Sequence, residues 1–394
     1  MNREGSRNVA VMPFRAAGIA ILFTVGLAAQ TAQSLPPCPD GPLFRVIPMA
    51  PDDYLAFRPL GFITLPIHFF PAKHSSFTLA LPGEPTPDKE VRFPGDAWVT
   101  DILSTRFSTG NTGYQMQFQP CDNVRSYFYH LRDISPALKV VFESAERRCF
   151  EQRFSDGSTV EKCQARMFFG VSAGEVAGRT GDGSSGIDFG LVDFRLEPKG
   201  FVDPAHYPFD YPYYASPIDY YPPGLREEFE SKLASWDGKT KRTADPKPGT
   251  HRIDVAGTAQ GGWFFPGSDM RTNPDDMTPH MAFVRDYIDP EQPLIVIGNK
   301  LAGARMGIYS FASQPDGEVN RAFHEVRPGT VYCYQGMKGG RTAGQLPLSS
   351  FAWVLLVSLS DDSTLIVEKQ GEAEALCDSL RPWRFTESST VFKR

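Results

Sequence analysis

The glycines near residue 180 have the spacing of a phosphate-binding turn. Gly181, Gly183 and Gly186 match the pattern GxGxxG, in which amides at a helix terminus bind a pyrophosphate. A dinucleotide site requires this turn to follow a strand and to open a helix. Residues 187–192 read Ile-Asp-Phe-Gly-Leu-Val, which is typical of a strand. We therefore exclude a nucleotide site.

Other reactive side chains lack a spacing that would make them work together. Ser184 and Ser185 lie in the same glycine-rich turn, but the sequence shows no base that would activate either hydroxyl. In the C-terminal part, Asp254, His324 and Glu325 are scattered, and we interpret them as ordinary surface or core residues. Nucleophilic serine chemistry therefore has little support.

The six cysteines are an even set, which favours disulfides over metal ligands in an exported chain. Cys149 and Cys163 lie symmetrically about Asp156-Gly157, a hairpin turn signal, so a cross-strand bridge between them is the first prediction. The pairings of Cys38 with Cys121 and of Cys333 with Cys377 follow if the bridges stay within domains.

Charge and length limit the classes of function. The chain has 394 residues and a formal net charge of -6, so it carries no basic footprint for nucleic acid or anionic lipid. Its length suits two domains with proper cores. The 35 glycines, 34 prolines and 30 phenylalanines favour short strands and turns over long helices.

The N-terminus resembles a secretory signal peptide. Arg3, Arg7 and Arg15 precede or border an apolar run over residues 16–28, and small residues at 28–32 offer a cleavage point. The run is shorter than the roughly 20 apolar residues of a spanning helix, although an uncleaved anchor is the alternative. We expect residues 1–33 to be removed and the protein to be secreted or periplasmic, with no membrane span after cleavage.

Short apolar or alternating runs predict an all-β fold. In residues 114–119 Tyr, Met and Phe alternate with Gln, which is the period of a strand with one buried face. Residues 124–131 and 187–194 continue the pattern, whereas 135–141 could be a helical turn or a strand. Further short strands are predicted at residues 294–297, 306–311, 331–334, 351–359 and 364–368.

These runs divide the chain into two predicted β domains. Residues 34–205 form an antiparallel sheet or sandwich, and residues 251–394 form a second sandwich or small barrel. Between them, residues 206–250 are rich in aromatics and proline and contain one predicted helix, with Leu225, Phe229 and Leu233 on one face. The aromatics of 206–221 are interpreted as a seam between domains, with a stacking surface for sugar or peptide as the alternative.

Three stretches of the first domain resemble the β-sheet core of the lysostaphin- and LytM-type metallopeptidases. Residues 91–102 look like the strand and turn before the family's "Gly-Val-Val" segment, with Ala97 where the family prefers glycine. Tyr129-His130-Leu131 matches its Tyr-x-His-Leu stretch, and residues 174–178 look like its Gly-Gln-x-Ile-Gly segment. The resemblance covers roughly residues 60–194. It implies a zinc enzyme that cuts peptide bridges in bacterial cell walls, with His130 as a catalytic histidine.

The zinc ligands of that family do not carry over intact. The resemblance implies a His-x-x-x-Asp pair and the second histidine of a His-x-His strand. His74 matches the first position, but Thr78 stands where the aspartate is expected. In the last strand Gly186-Ile187-Asp188 stands in place of His-x-His, so Asp188 replaces the ligand histidine. Catalytic zinc requires about three protein ligands and an open position, and His74 and Asp188 are only two.

The leading hypothesis is therefore an exported, non-catalytic relative of these peptidases, without a cofactor. His74, His130 and Asp188 would line a former active-site cleft. The protein would bind cell-wall peptide or glycan there, or it would regulate an envelope hydrolase. The first alternative is a divergent zinc metalloendopeptidase acting on peptidoglycan through His74, Asp188 and one unassigned ligand, for which His68 is a candidate, with His130 catalytic. The second alternative is a structural envelope protein.

Overall fold

The structure is a computed structural model that describes residues 34–108, 110–153, 158–272, 276–336, 339–372 and 374–394. The predicted signal peptide, residues 1–33, and the predicted turn at Asp156-Gly157 lie outside the described residues. Within the described ranges, no helix is long and apolar enough to cross a membrane.

The predicted all-β class is confirmed at the level of secondary structure. Antiparallel strands form a nine-stranded sheet, a three-stranded sheet and two four-stranded sheets in the described part of the chain. Two short α-helices accompany them, α1 at Pro136–Ser144 and α2 at Pro223–Ser231. The short strands are the consequence of frequent glycine and proline, which interrupt regular pairing.

The N-terminal part carries the large sheet and the three-stranded one. Its strands are β1 Ala56–Arg58, β2 Ser75–Thr78, β3 Glu90–Arg92, β4 Ala97–Arg106, β5 Thr112–Cys121, β6 Val124–Leu131, β7 Asp133–Ile134, β8 Arg147–Arg153, β9 Thr159–Val171, β10 Val176–Arg179, β11 Gly186–Asp193 and β12 Tyr214–Ala215. The large sheet runs β1-β2-β11-β6-β5-β4-β9-β8, with β12 beside β11, and the small sheet runs β3-β10-β7. The last strand in sequence order of the predicted core, β11, therefore lies between β2 and β6.

The polar–apolar alternation predicted for the fifth strand is confirmed at Met116 and Phe118, whereas Tyr114 is only half-buried. Met116 and Phe118 of β5 are buried, whereas Gln115, Gln117 and Gln119 between and beside them are half-buried. Met116 and Phe118 belong to the core that α1 also covers, through Leu138 and Phe142. The helical alternative for residues 135–141 prevails because these two apolar residues are four apart and face the sheet together.

All three predicted disulfides are present. Cys149 and Cys163 are cross-strand partners in β8 and β9, with 4.0 Å between their Cα atoms. Cys38 is bonded to Cys121 at the end of β5, and the third bridge joins Cys333 to Cys377. No cysteine among the described residues is free.

The C-terminal part consists of two four-stranded sheets. Their strands are β13 Gly261–Trp263, β14 Met281–Arg285, β15 Pro293–Ile297 and β16 Gly307–Ser310 in one sheet, and β17 Val331–Gln335, β18 Val354–Asp361, β19 Thr364–Gln370 and β20 Thr390–Lys393 in the other. Each sheet pairs its strands in sequence order. The five strands predicted between residues 294 and 368 are all confirmed, with ends shifted by a few residues.

Buried side chains of the two parts also meet each other. Phe62, Phe70 and Tyr211 belong to one buried cluster with Val284 and Leu346 of the C-terminal part. The aromatic segment contributes to burial: the side chains of Tyr207, Tyr211, Tyr214 and Tyr221 are buried, whereas Phe209 is 77% exposed. The predicted domain boundaries at 205 and 251 stay a prediction.

Candidate functional site

Three adjacent strands bring the predicted site residues together. Asp188 lies in β11, where it is opposite Ser76 of β2 and opposite Tyr129 of β6. His74 immediately precedes β2, and His130 follows Tyr129 near the end of β6. Because facing residues of antiparallel strands lie about 5 Å apart, this register places both histidines beside the same carboxylate.

The carboxylate of Asp188 lies between the two imidazoles. Its Oδ1 is 3.4 Å from Nδ1 of His74, and its Oδ2 is 3.3 Å from Nε2 of His130. The side chains of His74 and Asp188 are only 6% and 13% exposed, whereas that of His130 is 42% exposed. Solvent and ligands therefore reach this cluster at His130.

His130 has an unusual backbone and two further side-chain partners. Its φ is +72°, in the left-handed region that a residue with a Cβ rarely occupies. Its Nδ1 is 2.8 Å from Oγ of Ser184 and 3.7 Å from Oδ2 of Asp182, both in the glycine-rich turn. Such a conformation is retained when its surroundings hold it, and it occurs at functional sites more often than elsewhere.

The charges of the cluster follow from burial and proximity. Burial disfavours the imidazolium of His130, but the carboxylates of Asp188 and Asp182 outweigh burial and raise its pKa to about 10. Burial also disfavours the charge of Asp188, yet His74, His130 and the Arg58 guanidinium hold the pKa of that carboxyl well below its usual range. Burial lowers the pKa of His74 despite the attraction of Asp188. At neutral pH His130 is a cation and Asp188 an anion.

Further buried polar side chains lie near His74. Arg58 is 6% exposed and donates from Nη2 to Oγ of Ser76 at 2.9 Å. The ring centroid of His68 is 5.1 Å from that of His74, and burial, followed by the neighbouring His74, lowers the pKa of His68 to about 3. In the part of the chain that the structure describes, Nδ1 of His68 and Oγ1 of Thr78 are buried without a hydrogen-bond partner.

The donor atoms as arranged do not fit a zinc ion. Nδ1 of His74 faces both Asp188 and the carbonyl of Ser75, at 3.2 Å, so Nδ1 carries the proton and only Nε2, on the far side of the ring from Asp188, could ligate a metal. Nε2 of His130 already contacts Asp188, and Thr78, at the expected aspartate position, offers only a neutral hydroxyl. Among the described residues, three donors converge within 4.8 Å only at Cys38, Cys121 and Asp122, where the two cysteines form a disulfide.

The other reactive residues have structural roles. Asp254 is half-buried and accepts hydrogen bonds from the amides of Val202 and Gly262. His324 contacts Arg285 at 3.2 Å, and Glu325 forms an ion pair with Arg321 at 3.0 Å. These contacts agree with the interpretation that none of the three takes part in a common site.

Two serines lie in glycine-containing segments, Ser184 in the turn before β11 and Ser172 in the segment 170–174. The contact of Ser184 with His130 was not predicted, because only strand pairing brings the turn at residue 184 to the end of β6. The segment 170–174 reads Gly-Val-Ser-Ala-Gly and therefore also fits the pattern G-x-S-x-G of serine hydrolases. However, the exposed Ser172 lies in a turn between β9 and β10, and a nucleophile elbow needs a helix after the turn.

The chain matches no family model, no curated protein and no solved structure.

Proposed function

We propose that this protein is an exported, non-catalytic relative of the LytM-type peptidases that binds cell-wall peptide or glycan, or regulates an envelope hydrolase. The observation that carries the proposal is the position of the Asp188 carboxylate between His74 and His130 on adjacent strands. In that arrangement the carboxylate contacts both imidazoles, so these groups already satisfy one another.

The order of the strands supports the peptidase lineage. The residues matched to the family's site, His74, His130 and Asp188, lie on or beside the neighbouring strands β2, β6 and β11 of one antiparallel sheet, whereas parts of the resembling stretches 91–102 and 174–178 lie in the three-stranded sheet. We assign this sheet to a LytM-like core and the two C-terminal sheets to a β-sandwich. Tyr309 and Phe283 of one C-terminal sheet share a buried cluster with Leu355 and Val367 of the other, as facing sheets of a sandwich do.

The chemistry of the surface at His130 suits a peptide or glycan ligand. Ser184 accepts from Nδ1 of the imidazolium and keeps its own O–H to donate to a carbonyl, a carboxylate or a sugar hydroxyl, and the half-exposed imidazolium adds positive charge beside it. The buried Asp188 holds the imidazolium in place and keeps it charged. Three disulfides fit an oxidising compartment, secreted or periplasmic, in which cell-wall material is accessible.

One observation favours the alternative of a divergent zinc metalloendopeptidase. The separations of 3.4 and 3.3 Å between Asp188 and the two imidazoles are close to those between ligands of one tetrahedral zinc. Turning His74 to present its other nitrogen and deprotonating His130 would be needed to use them. The buried, unpartnered Nδ1 of His68 would be the third donor.

Metal analysis and sedimentation with peptidoglycan separate these functions. The protein, expressed as the full chain and purified without chelator, is expected to hold no stoichiometric zinc and to sediment saturably with purified peptidoglycan. Asp188→Asn is expected to weaken sedimentation, whereas Asp101→Asn, in the same sheet but bonded to Gln164, leaves it unchanged.

The opposite results identify the alternatives. Stoichiometric zinc that disappears in both His74→Ala and Asp188→Asn would overturn the non-catalytic proposal in favour of a metallopeptidase. Absence of zinc, of sedimentation and of any effect on a cell-wall amidase would identify a structural protein. Circular dichroism of each variant verifies that a loss of binding is not a loss of the fold.

A further inference from the structure

One cavity of the structure is not used by the proposed function. It has a volume of about 920 Å³. Its lining residues are 64–66, 81–82, 236–237, 306–308, 341 and 345–349. Cavities that bind small molecules in proteins have volumes of about 300–1,000 Å³, so this one is large enough for a ligand.

The wall of the cavity is mostly apolar. Ile308, Leu346 and Leu348 are buried in it, and Met306, at 46% exposure, is accessible to solvent at its edge. Leu65, Pro66, Leu81, Pro82, Trp236 and Pro347 complete the apolar lining. A ligand that fills this space gains free energy mainly by removing apolar surface from water, and the flexible Met306 side chain can adapt to it.

Two charged residues line the cavity, Asp237 and Arg341, and their surroundings differ. Asp237 already accepts hydrogen bonds from Oγ of Ser235 at 2.7 Å and from the amide of Lys239 at 3.2 Å, and Nζ of Lys239 is 3.6 Å away. Arg341 is exposed and donates from Nη1 to the carbonyl of Gln345 at 2.8 Å. Asp237 and Arg341 are the acidic and the basic residue of the lining. The cavity therefore presents one cation that can receive an anion.

An edge strand of one C-terminal sheet lies at the cavity, and one of its backbone carbonyls already accepts a hydrogen bond. β16 is the edge strand of its sheet, and its residues Gly307 and Ile308 line the cavity. The carbonyl of Ile308 accepts a hydrogen bond from the amide of Ser349 at 2.7 Å. An extended peptide that binds by strand addition needs such carbonyls, whereas an acyl chain does not. The lining thus favours an acyl chain over a peptide.

We propose that this cavity binds a carboxylate with an unbranched apolar chain, a fatty-acid-like amphiphile. The chain occupies the apolar space between Leu81, Ile308 and Leu348, and the carboxylate binds the guanidinium of Arg341. None of the lining residues belongs to the cluster of His74, His130 and Asp188. The proposal therefore goes beyond the proposed function and does not depend on it.

The cavity and the cluster are nevertheless connected through one arginine. The guanidinium of Arg58 stacks over the ring of Trp236, which lines the cavity, at 4.3 Å from the ring centroid. The same guanidinium donates to Ser76, the strand partner of Asp188. A ligand that displaces Trp236 would thus move a side chain that contacts the cluster.

Calorimetric titration of the full-chain protein with decanoate tests the proposal, with decanol as the uncharged comparison. Decanoate is expected to bind at one site per chain, at least tenfold more tightly than decanol, because only the carboxylate makes a charge-assisted bond to Arg341. Arg341→Gln is expected to abolish this difference, and Arg271→Gln, an exposed arginine that does not line the cavity, to preserve it. Equal affinity for the two ligands, or an unchanged preference in Arg341→Gln, would overturn the assignment.

A second variant tests the cavity itself. Met306→Trp fills the exposed edge and is expected to weaken both ligands tenfold or more, whereas Leu376→Trp, at another exposed site, leaves both unchanged. Undiminished binding in Met306→Trp would place the ligand elsewhere and refute the proposal. Tighter binding of the apolar peptide acetyl-Leu-Leu-Leu than of decanoate would refute the acyl-chain assignment. Asp188→Asn is expected to retain decanoate binding, which keeps this result separate from that of the peptidoglycan experiment.

Discussion

Nε2 of His130 lies 3.3 Å from Oδ2 of Asp188, although 58 positions of sequence separate the two residues. The pairing of β6 with β11 creates this contact, because it sets Asp188 opposite Tyr129, the residue before His130. The contact joins an ionised carboxylate to an imidazolium at the edge of a buried cluster. Its properties can be measured without knowing the ligand.

Because of the His130–Asp188 contact, the stability of the protein is expected to fall as the pH becomes alkaline. The pKa of His130 is about 10 in the folded protein against 6.5 in a model compound. The folded state therefore retains a proton that the unfolded chain releases, so this contribution is complete below pH 6.5 and is lost as the pH rises through 10. Urea unfolding of the parent and of His130→Gln should show a difference that shrinks from pH 6 to pH 10. Phe209→Leu, at an exposed residue that carries no charge, should show no such trend, and a pH-independent difference for His130→Gln would contradict the assignment.

Removal of the Asp188 charge should lower the pKa of His130. In Asp188→Asn the largest attraction on the imidazolium disappears, so the pKa of His130 is expected to fall from about 10 toward its ordinary value. The free energy of unfolding at neutral pH should fall by about 1–3 kcal/mol through the loss of charge-assisted hydrogen bonds. Histidine NMR titration measures the first effect and urea unfolding the second. An unshifted His130 would show that Asp182 alone holds the charge.

The packing between β6 and β11 should be intolerant of a single methyl group. A Cβ at Gly190 would lie 2.0 Å from Cζ of the buried Tyr127 ring. Gly190→Ala is therefore expected to cost about 1–3 kcal/mol of stability, because the ring or the strand must move. Gly224→Ala in α2 is the matched control, since nothing lies within 4 Å of its added Cβ. Thermal unfolding of both variants tests this prediction. Equal melting temperatures would mean that the Tyr127 ring moves aside without loss of stability.

The three disulfides should contribute unequally to stability. Cys38 and Cys121 are 83 residues apart in sequence, whereas Cys149 and Cys163 are 14 apart. The chain-entropy relation gives a stabilisation of about 4.5 kcal/mol for the long loop and about 3 kcal/mol for the short one. Urea unfolding of the two double serine variants is expected to follow this order. Peptide mapping without reductant provides the control for the pairing, and the reverse order would show that the hairpin bridge is needed to dock β8.

Several features of the fold could be predicted from sequence because they depend on residues that are close together in the sequence. Alternating burial in β5 reflects the two-residue repeat of a strand, and the Cys149–Cys163 bridge reflects a local hairpin. Phe229 is buried in α2, but Leu233, predicted on the same helical face, lies beyond the end of that helix, in a bridge to Phe57. The helix ends at Ser231 because the chain turns there to reach β1, and sequence periodicity does not record such a tertiary contact.

The sequence by itself determined the secondary-structure class, the Cys149–Cys163 hairpin bridge and the chemical types of His74, His130 and Asp188, since each of these depends on residue identity and short spacing. Tertiary structure alone decided that one carboxylate is shared by two imidazoles, that Ser184 contacts His130 and that segments from residue 64 to residue 349 enclose one cavity. The physical reason is the register of non-adjacent strands: a shift of one residue in β11 would turn Asp188 to the opposite face of the sheet.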